Sequence, residues 1–312
     1  MQGGALPAGG KKEIIMEHTH TFIRFPGGLT KALSFTFDDG CVEDKWIAER
    51  FGELGLSGTF NLNSGLFHQP GTDYDSLNLD VFPVRDIQHR MTAEEAVEAL
   101  DKPYIEIAGH GLLHCDANLI DDSAEVWDVV ADRHNLEKLF HRPVTGYAIP
   151  QGAFTDRTLE ILKTCGFEYA RTAFPTGSFD IPKDMFRFAH TTGINSGNAD
   201  GLCDQFLNFV PTTGMYDYSS HGAFFNLFAH SYEMNLDKPR IQNRFNDMFE
   251  KLAGHDDVWY ATNIDVIRYC KAFYSLVYSL DRETVFNPSC CDVWIYHCGG
   301  VARIPAGATV SL

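Results

Sequence analysis

Two adjacent carboxylates and a spaced pair of histidines are the residues of this chain best suited to chemistry. Asp38 and Asp39 follow the alternating apolar residues of 33–37 and precede a glycine, which predicts a strand with both carboxylates at its C-terminal tip. His110 and His114 are spaced i, i+4, which would place both imidazoles on one face of a helical turn. Three protein ligands would leave a cation one open position, and the remaining carboxylate could act as a base. The pattern indicates a hydrolytic metal site.

Each pair also has an ordinary alternative when it is taken alone. The two carboxylates could form a turn and cap the next helix, and an i, i+4 histidine pair is often surface decoration. However, His110 and His114 follow the apolar stretch 104–109, so they would lie at the C-terminal end of a second strand. Barrel enzymes build their sites at that end. Because Gly111 stands where the zincin motif HExxH has its glutamate, the base has to come from elsewhere in the chain.

A third histidine is predicted to reach the same place. His230 ends the apolar stretch 223–229, which reads as another buried strand. A single histidine at a strand end is most often structural. At a mouth that already holds two others, it becomes the candidate general acid.

The elements that would position these side chains alternate along the chain. The candidate strands are 32–37, 58–61, 104–108, 145–149, 168–171, 224–229 and 258–261. The candidate helices are 43–54, 93–100, 123–140, 156–165, 240–252 and 264–278. About seven βα units favour a closed or distorted parallel α/β barrel over an open doubly wound sheet. No glycine-rich phosphate fingerprint follows the first strand, which argues against a dinucleotide fold.

Some segments do not fit this alternation. Residues 1–17 are expected to be a flexible leader, 18–283 the barrel, and 284–312 a small β appendage packed on it. Two long irregular segments, 62–90 and 174–222, interrupt the barrel, and such segments are usually functional or disordered. The second is rich in aromatic side chains, which could form a platform for a sugar or a hydrophobic plug. These aromatic residues are Phe179, Phe186, Phe188, Phe206, Phe209, Tyr216 and Tyr218.

The composition of the chain disfavours some classes of binding partner. The 312 residues carry a net charge of −17, which disfavours binding to nucleic acid or to an anionic membrane. No apolar stretch is long enough for a membrane span or a secretory signal, so a cytoplasmic location is expected. The eight cysteines show no CxxC pair, and reduced thiols are expected, although Cys290, Cys291 and Cys298 could form a soft metal or redox site.

Taken in order along the chain, the motifs resemble those of the NodB-type polysaccharide deacetylases, carbohydrate esterase family four. The motifs are Thr36-Phe37-Asp38-Asp39-Gly40, His110-x-x-x-His114, Pro150-Gln151-Gly152 and Leu227-x-x-His230. The resemblance covers about 31–267, and the first two motifs are specific when they occur together. The stretches His-Ser-Tyr-Glu from 230 and Ala-Thr-Asn from 261 resemble a bacterial subgroup of this family.

This resemblance implies a distorted (β/α) barrel with one divalent metal, zinc first and cobalt or nickel as alternatives. Asp39, His110 and His114 would hold the metal. Asp38 would take the proton of the attacking water, and His230 would protonate the leaving amine or alcohol.

The backbone N–H of Gln151, after Pro150, would help to stabilise the tetrahedral oxyanion. Glu233, Asn263 and Tyr232 are candidates for orienting His230 or the ligands, or for contacting substrate. A helix cap is an equal alternative for Asn263, and a solvent-facing charge is one for Glu233.

The chain departs from the family pattern at two positions. Ala148 stands where the family usually has an arginine that orients the catalytic base. We hypothesise that Arg171, at the end of the next strand, supplies this charge, although a surface arginine is an equal alternative. Gln151 stands where tyrosine or phenylalanine is common, which changes a side chain and leaves the N–H in place.

The sequence therefore predicts a metal-dependent hydrolase that removes an N- or O-linked acetyl group from a carbohydrate, a hydrolase of carbon–nitrogen bonds other than peptide bonds. One alternative is an amidohydrolase acting on a small cytosolic amide of the formamide or ureide type. The other is a carbohydrate-binding pseudoenzyme, against which the retained ligands, base and acid argue. The sugar, the bond cleaved, the native metal and the oligomeric state are not predicted by the sequence.

Overall fold

The computed structural model describes residues 20–69, 88–212 and 221–312. Its strands are β1 (Thr21–Arg24), β2 (Lys31–Asp38), β3 (Gly58–Leu62), β4 (Ile105–Gly109), β5 (Gly146–Ala148), β6 (Tyr169–Thr172), β7 (Phe188–Ala189), β8 (Thr192–Gly193), β9 (Ala223–His230), β10 (Val258–Tyr260), β11 (Val277–Tyr278), β12 (Thr284–Phe286), β13 (Val293–His297), β14 (Gly300–Ile304) and β15 (Thr309–Ser311). Its helices are α1 (Asp44–Leu54), α2 (Ala93–Leu100), α3 (Asp122–Phe140), α4 (Asp156–Thr164), α5 (Ala199–Leu207), α6 (Lys238–Leu252) and α7 (Asn263–Tyr274).

A curled parallel sheet of nine strands forms the centre of the fold. Its order is β7-β6-β5-β4-β3-β2-β9-β8, and β10 pairs with the first half of β2. The two edge strands, β7 and β8, are consecutive in the chain, so that residues 190–191 pass from one edge of the sheet to the other. The α/β fold class and the distorted barrel expected from the sequence are confirmed.

Successive side chains along the strands point alternately to the surrounding helices and to the barrel interior. The side chains that face the helices are apolar, and those that face the interior are polar. On β2, Phe35 packs against Phe51 of α1 and Phe249 of α6, with ring centroids 5.0 and 5.3 Å apart. Burial of each such ring contributes roughly 1.5–3 kcal/mol. The residues of β2 between the apolar ones face the barrel interior and are Ser34, Thr36 and Asp38. The period of two that buries the phenylalanines therefore carries Asp38 into the barrel mouth.

The C-terminal antiparallel strands are present, and they share their sheets with earlier parts of the chain. β13 pairs with β1 and β14, and β12 pairs with β11 and β15. An apolar cluster that includes Ile23, Tyr169, Ile267 and Ile295 joins this region to the N-terminal end of the barrel. The division of the chain at 283/284 stays a prediction.

Two expectations about elements were wrong. The segment 174–222 is not irregular throughout, because its described residues supply both edge strands of the sheet and helix α5. The last predicted helix, 264–278, ends at Tyr274, and Val277–Tyr278 forms strand β11 instead. Among the described residues, no helix combines the length and apolarity that a membrane span needs.

Candidate active site

Both carboxylates of the first motif face the barrel mouth, each for a different reason. Asp38 is the last residue of β2 and continues its inward-facing alternation. Asp39 would point the opposite way in a regular strand, but its φ of 84° breaks the pleat. The backbone N–H of Asp39 still donates to Asn61 O of β3 at 3.0 Å, which anchors this turn to the sheet.

The two histidines of the second motif converge, but they do so in a loop and not on a helical turn. His110 directly follows β4, and Gly111 and His114 adopt positive φ values of 74° and 56°. The predicted helical turn was therefore wrong. A Cβ atom at Gly111 would collide with the carboxylate of Asp128 on α3, so the loop requires glycine there. The two imidazole rings lie 4.7 Å apart, centroid to centroid.

Asp39, His110 and His114 together form a set of donors suited to a divalent cation. One ligand atom from each lies within 4.8 Å of the others. Oδ1 of Asp39 is 3.8 Å from Nε2 of His110 and 3.8 Å from Nε2 of His114. Nδ1 of His110 bonds the carbonyl of Ala148 at 2.8 Å, which leaves Nε2 facing the carboxylates. Two imidazole nitrogens and one carboxylate oxygen fit zinc and similar cations.

Asp38 lies beside this set and is held by two side chains. Its Oδ2 accepts a hydrogen bond from Nη2 of Arg171, and its Oδ1 accepts one from Nδ2 of Asn61 at 2.8 Å. Arg171 is on β6, is only 1% exposed and lies over the ring of Phe228 at 4.8 Å. The arginine is thus a buried partner of Asp38 and not a surface residue. Its position agrees with the hypothesis that it replaces the arginine absent at Ala148.

The charges around the two carboxylates keep both ionised. Burial pushes the pKa of Asp38 upward, but Arg171, with help from His110 and His230, holds it below the ordinary value. Burial acts on Asp39 in the same way, and Arg90 is the largest of the opposing charges that lower its pKa.

The three histidines of the mouth differ in their preferred state. Burial lowers the pKa of His110, and burial together with the neighbouring His110 lowers the pKa of His114 to about 4. Both imidazoles are therefore neutral near pH 7, as metal ligands must be. Burial also acts against the charged form of His230, but Glu233 and the carboxylates of Asp39 and Asp38 outweigh it and raise its pKa. This rise shifts His230 toward the protonated form that a general acid needs.

His230 ends β9 and faces the carboxylates from the opposite side. Its Nε2 lies 3.8 Å from Oδ2 of Asp39, and its Nδ1 lies 3.3 Å from Oε1 of Glu233. Oε1 of Glu233 also accepts the backbone N–H of His230 at 3.2 Å. The ring of Tyr232 lies beside that of His230, with centroids 4.9 Å apart. Glu233 and Tyr232 thus both contact the candidate acid.

The third motif lies next to the histidine loop. Pro150–Gly152 forms a 3-10 turn in which Gln151 has a φ of 56° and an exposed side chain. Pro150 is buried, and its Cγ lies 3.5 Å from the Cβ position that a side chain at Gly111 would occupy. The turn that carries the Gln151 N–H therefore borders the loop that carries both histidine ligands.

Asn263 lies elsewhere in the barrel. Its Oδ1 accepts hydrogen bonds from Ser34 at 2.7 Å and Asn226 at 2.8 Å, and its N–H donates to Thr59 at 3.0 Å. Ser34 is two inward-facing positions below Asp38 on β2. Asn263, Ser34, Asn226 and Thr59 form a polar cluster inside the barrel, here called the floor. Asn263 is therefore not among the residues that contact His230.

Several residues of the mouth were not predicted. Arg90 and Gln88 bind Asp39, Asn61 binds Asp38, and Asn63 binds the backbone of the histidine loop. A signal existed for Asn61, because β3 alternates like β2 and places its polar residues inward. The same alternation reaches Asn63, two residues after Asn61, whereas no periodicity marked Gln88 and Arg90.

The aromatic residues of the second long segment mostly pack into the core where they are described. Phe188 and Phe206 are buried, and Phe179 packs on Phe206 and Phe225 with centroids 5.7 and 5.4 Å apart. This packing favours the plug over the sugar platform. Tyr216 and Tyr218, the leader 1–17 and residues 70–87 of the first long segment lie outside the described residues. In the described part of the chain, the cluster of possible ligands found is the Asp39 set, and it includes none of the cysteines.

Comparison with known proteins agrees with the motifs. Residues 26–170 match the family described as polysaccharide deacetylase. No curated protein matches the chain in sequence.

One solved structure shares the fold at low sequence identity, and others align more weakly. A Mycobacterium smegmatis protein assigned to the polysaccharide deacetylases aligns with a TM-score of 0.52 at 17% identity, covering 81% of this chain and 94% of that one. The deacetylase PplD of Streptococcus pyogenes, in complex with acetate, aligns with a TM-score of 0.37 at 16% identity, over 45% and 55% of the two chains. The chain thus spans about half the length of PplD.

A CE4 family pseudoenzyme from Bacillus anthracis aligns with a TM-score of 0.44 at 12% identity, over 79% of this chain and 68% of that one. The family match covers Asp38, Asp39, His110 and His114. The resemblance drawn from the motifs is confirmed by the match of residues 26–170 to the polysaccharide deacetylase family.

Proposed function

We propose that the chain is a metal-dependent hydrolase that removes an N-linked or O-linked acetyl group from a carbohydrate. The observation that carries this proposal is the convergence of Asp39, His110 and His114, whose ligand atoms lie within 4.8 Å of one another. Asp38 lies beside them and is paired with the buried Arg171. Neutral imidazoles next to two ionised carboxylates in one buried mouth are typical of a functional site.

Asp38 is the proposed base. Arg171 and Asn61 bind its two oxygens, so the carboxylate is ionised and its rotation is fixed while it accepts a proton from the attacking water. Asp39, His110 and His114 would hold a divalent cation, zinc first and cobalt or nickel as alternatives, which would supply Lewis-acid polarisation of the acetyl carbonyl and lower the pKa of a water molecule.

His230 is the proposed acid, and Gln151 the proposed donor to the substrate oxygen. Glu233 binds Nδ1 of His230, so its Nε2–H points into the mouth and can protonate the departing nitrogen or oxygen. The Gln151 N–H borders the mouth through the Pro150 turn and would stabilise the developing oxyanion, as a donor worth roughly 3–4 kcal/mol of barrier.

The test is acetate release from a panel of N-acetylated and O-acetylated sugars after reconstitution with zinc or cobalt. We expect acetate from at least one sugar, lost on chelation and restored by the metal. A formamide and a ureide belong in the same panel. Turnover of these without any acetate release would replace the proposal with a small-amide hydrolase. Binding of a sugar by metal-loaded protein without acetate release would indicate a pseudoenzyme.

A further inference from the structure

Two buried residues that are not candidate ligands connect the halves of the Asp39, His110 and His114 set. Arg90 is 7% exposed and Asn63 is 2% exposed. Arg90 Nη2 donates to Oδ1 of Asp39 at 3.1 Å, and its Nη1 donates both to the backbone carbonyl of Asp39 and to Oδ1 of Asn63, the latter at 2.9 Å. The guanidinium of Arg90 therefore binds both the side chain and the backbone of Asp39.

Asn63 continues this connection to the histidine loop. Its Nδ2 donates to the carbonyl of His110 and to the carbonyl of Gly111, the latter at 2.9 Å. A continuous path of hydrogen bonds thus runs from Asp39 through Arg90 and Asn63 to the residue that carries the first imidazole. Buried carbonyls in such a loop need donors, and each one left unpaired would destabilise the loop.

The segment that carries Arg90 is itself tied to the carboxylate turn. Val42 N donates to His89 O at 2.8 Å, and Met91 N donates to Gly40 O at 3.0 Å. From the same segment, Nε2 of Gln88 donates to Oδ2 of Asp39 at 2.9 Å. Each oxygen of the Asp39 carboxylate therefore has its own donor, and the rotation that turns Oδ1 toward both imidazoles is fixed.

We propose that Arg90 and Asn63 act as a brace that positions Asp39 relative to His110 for metal binding. This inference depends on the proposed function, because it assumes that these residues hold a cation. The brace joins two turns whose backbone is irregular, since Asp39 has a φ of 84° and Gly111 a φ of 74°. Regular strand structure does not hold these turns in place, so the hydrogen bonds of the brace have to do so. Because Arg90 donates to the oxygen that lies 3.8 Å from Nε2 of His110, it sets the ligand atom itself and not only the surrounding fold.

The experiment measures cobalt affinity, the visible d–d spectrum of the cobalt-loaded protein and the thermal unfolding of the metal-free protein. The variants are Arg90→Gln, Arg90→Lys and Asn63→Ala. Loss of a group that orients a metal ligand typically weakens affinity 10–100-fold, and we expect that loss with a changed d–d spectrum. Arg90→Lys keeps the charge but cannot make the forked contact, so it should also weaken binding if geometry is responsible.

Two matched controls come from outside the mouth. Arg133 donates to the carboxylate of Glu137 at 2.8 Å and to the carbonyl of Cys165 at 2.6 Å, so Arg133→Gln removes a comparable fork. Asn287 is buried and donates to two carbonyls, at 2.8 and 3.0 Å, so Asn287→Ala removes a comparable amide. Both controls should bind cobalt as the wild type does, even where unfolding occurs at a lower temperature.

The double variant Arg90→Gln/Asn63→Ala separates a shared brace from two independent effects. A brace predicts that the double variant loses little more affinity than the worse single variant, whereas independent residues would multiply their losses. Unchanged or tighter cobalt binding by folded Arg90→Gln and Arg90→Lys would overturn the brace. If the wild type itself bound no cobalt, the proposed function would fail, and the brace with it. Wild-type binding with unaffected variants would remove the brace alone.

Discussion

The mouth and the floor of the barrel both bury carboxylates, but they surround them differently. At the mouth, Asp38 lies against Arg171 and Asp39 against Arg90, and the pKa of each carboxyl is held below its ordinary value although burial pushes it up. On the floor, Glu106 of β4 has no guanidinium among the hydrogen-bond partners that the structure describes for it.

Among the described residues, the hydrogen-bond donors to Glu106 are all neutral. Its oxygens accept hydrogen bonds from Thr59 at 2.8 Å, Tyr169 at 2.9 Å and the backbone N–H of Ile264 at 2.8 Å. Burial outweighs these bonds and raises the pKa of Glu106 to about 7. Burial among neutral partners therefore shifts an acid of this barrel toward its neutral form. At the mouth, a paired guanidinium keeps Asp38 and Asp39 ionised and able to act as base or ligand.

The largest expected effect is that of Asp38→Asn. Removal of the proposed base should lower turnover about 10²–10⁴-fold, while the cobalt affinity stays close to that of the wild type. Glu106→Gln is the matched control, because it makes the same acid-to-amide change at the floor, and it should leave the rate unchanged. Steady-state acetate release measures both. Near-normal turnover by Asp38→Asn would show that the chemistry does not depend on this carboxylate.

Arg171→Met removes the guanidinium that pairs with Asp38 at the mouth, a partner that Glu106 lacks among its described hydrogen bonds. Without the guanidinium, the pKa of Asp38 should rise, so the acid limb of the pH–rate profile should move to higher pH. Breaking a buried pair should also destabilise the fold, by about 3–5 kcal/mol. The pH dependence of kcat/KM and the free energy of unfolding measure the two effects. An unaltered rate and pH profile would remove Arg171 from the account.

The sequence predicted the parts of the site that regular strands deliver. Asp38, His110 and His230 each come at or directly after a strand end, and alternation alone directs the first of them inward. The barrel was predicted from a second pattern, the alternation of strands and helices along the chain. These predictions needed only local patterns.

What the sequence did not predict depends on irregular backbone or on distant pairing. The histidine loop uses positive φ at Gly111 and His114, which i, i+4 spacing cannot distinguish from a helical turn. Arg90 approaches Asp39 from a segment with no periodicity, and Asn263 joins the floor because α7 begins beside Thr59. Such contacts arise from tertiary structure and leave no local signal.

Glu233→Gln should have a smaller effect than either change at Asp38 or Arg171. The substitution keeps the shape of the side chain but removes the negative charge that Nδ1 of His230 faces at 3.3 Å. We expect a decrease in turnover of about tenfold, equivalent to about 1.4 kcal/mol of barrier, with unchanged cobalt affinity. If the rate stays at the wild-type value, Glu233 neither orients His230 nor favours its protonated form in the reaction.

Glu106→Gln should have the smallest effect on activity and a clear effect on stability. The pKa of Glu106 is raised from 4.5 to about 7 in the folded protein, so the contribution of Glu106 to stability is fully present below pH 4.5 and is lost as the pH rises through 7. The variant should therefore be more stable than the wild type at pH 8, by up to about 3 kcal/mol, and little different at pH 4.5. Denaturant unfolding at both pH values measures this difference. A variant less stable than the wild type at pH 8 would contradict the proposed neutral floor.

The central claim is that Asp39, His110 and His114 bind one cation. Anomalous diffraction at the zinc edge, from crystals grown with zinc, tests it most directly. We predict one peak bonded to Oδ1 of Asp39 and to Nε2 of both histidines, at distances of about 2.0–2.2 Å. Crystals that contain zinc elsewhere, with no peak between these three side chains, would contradict the account.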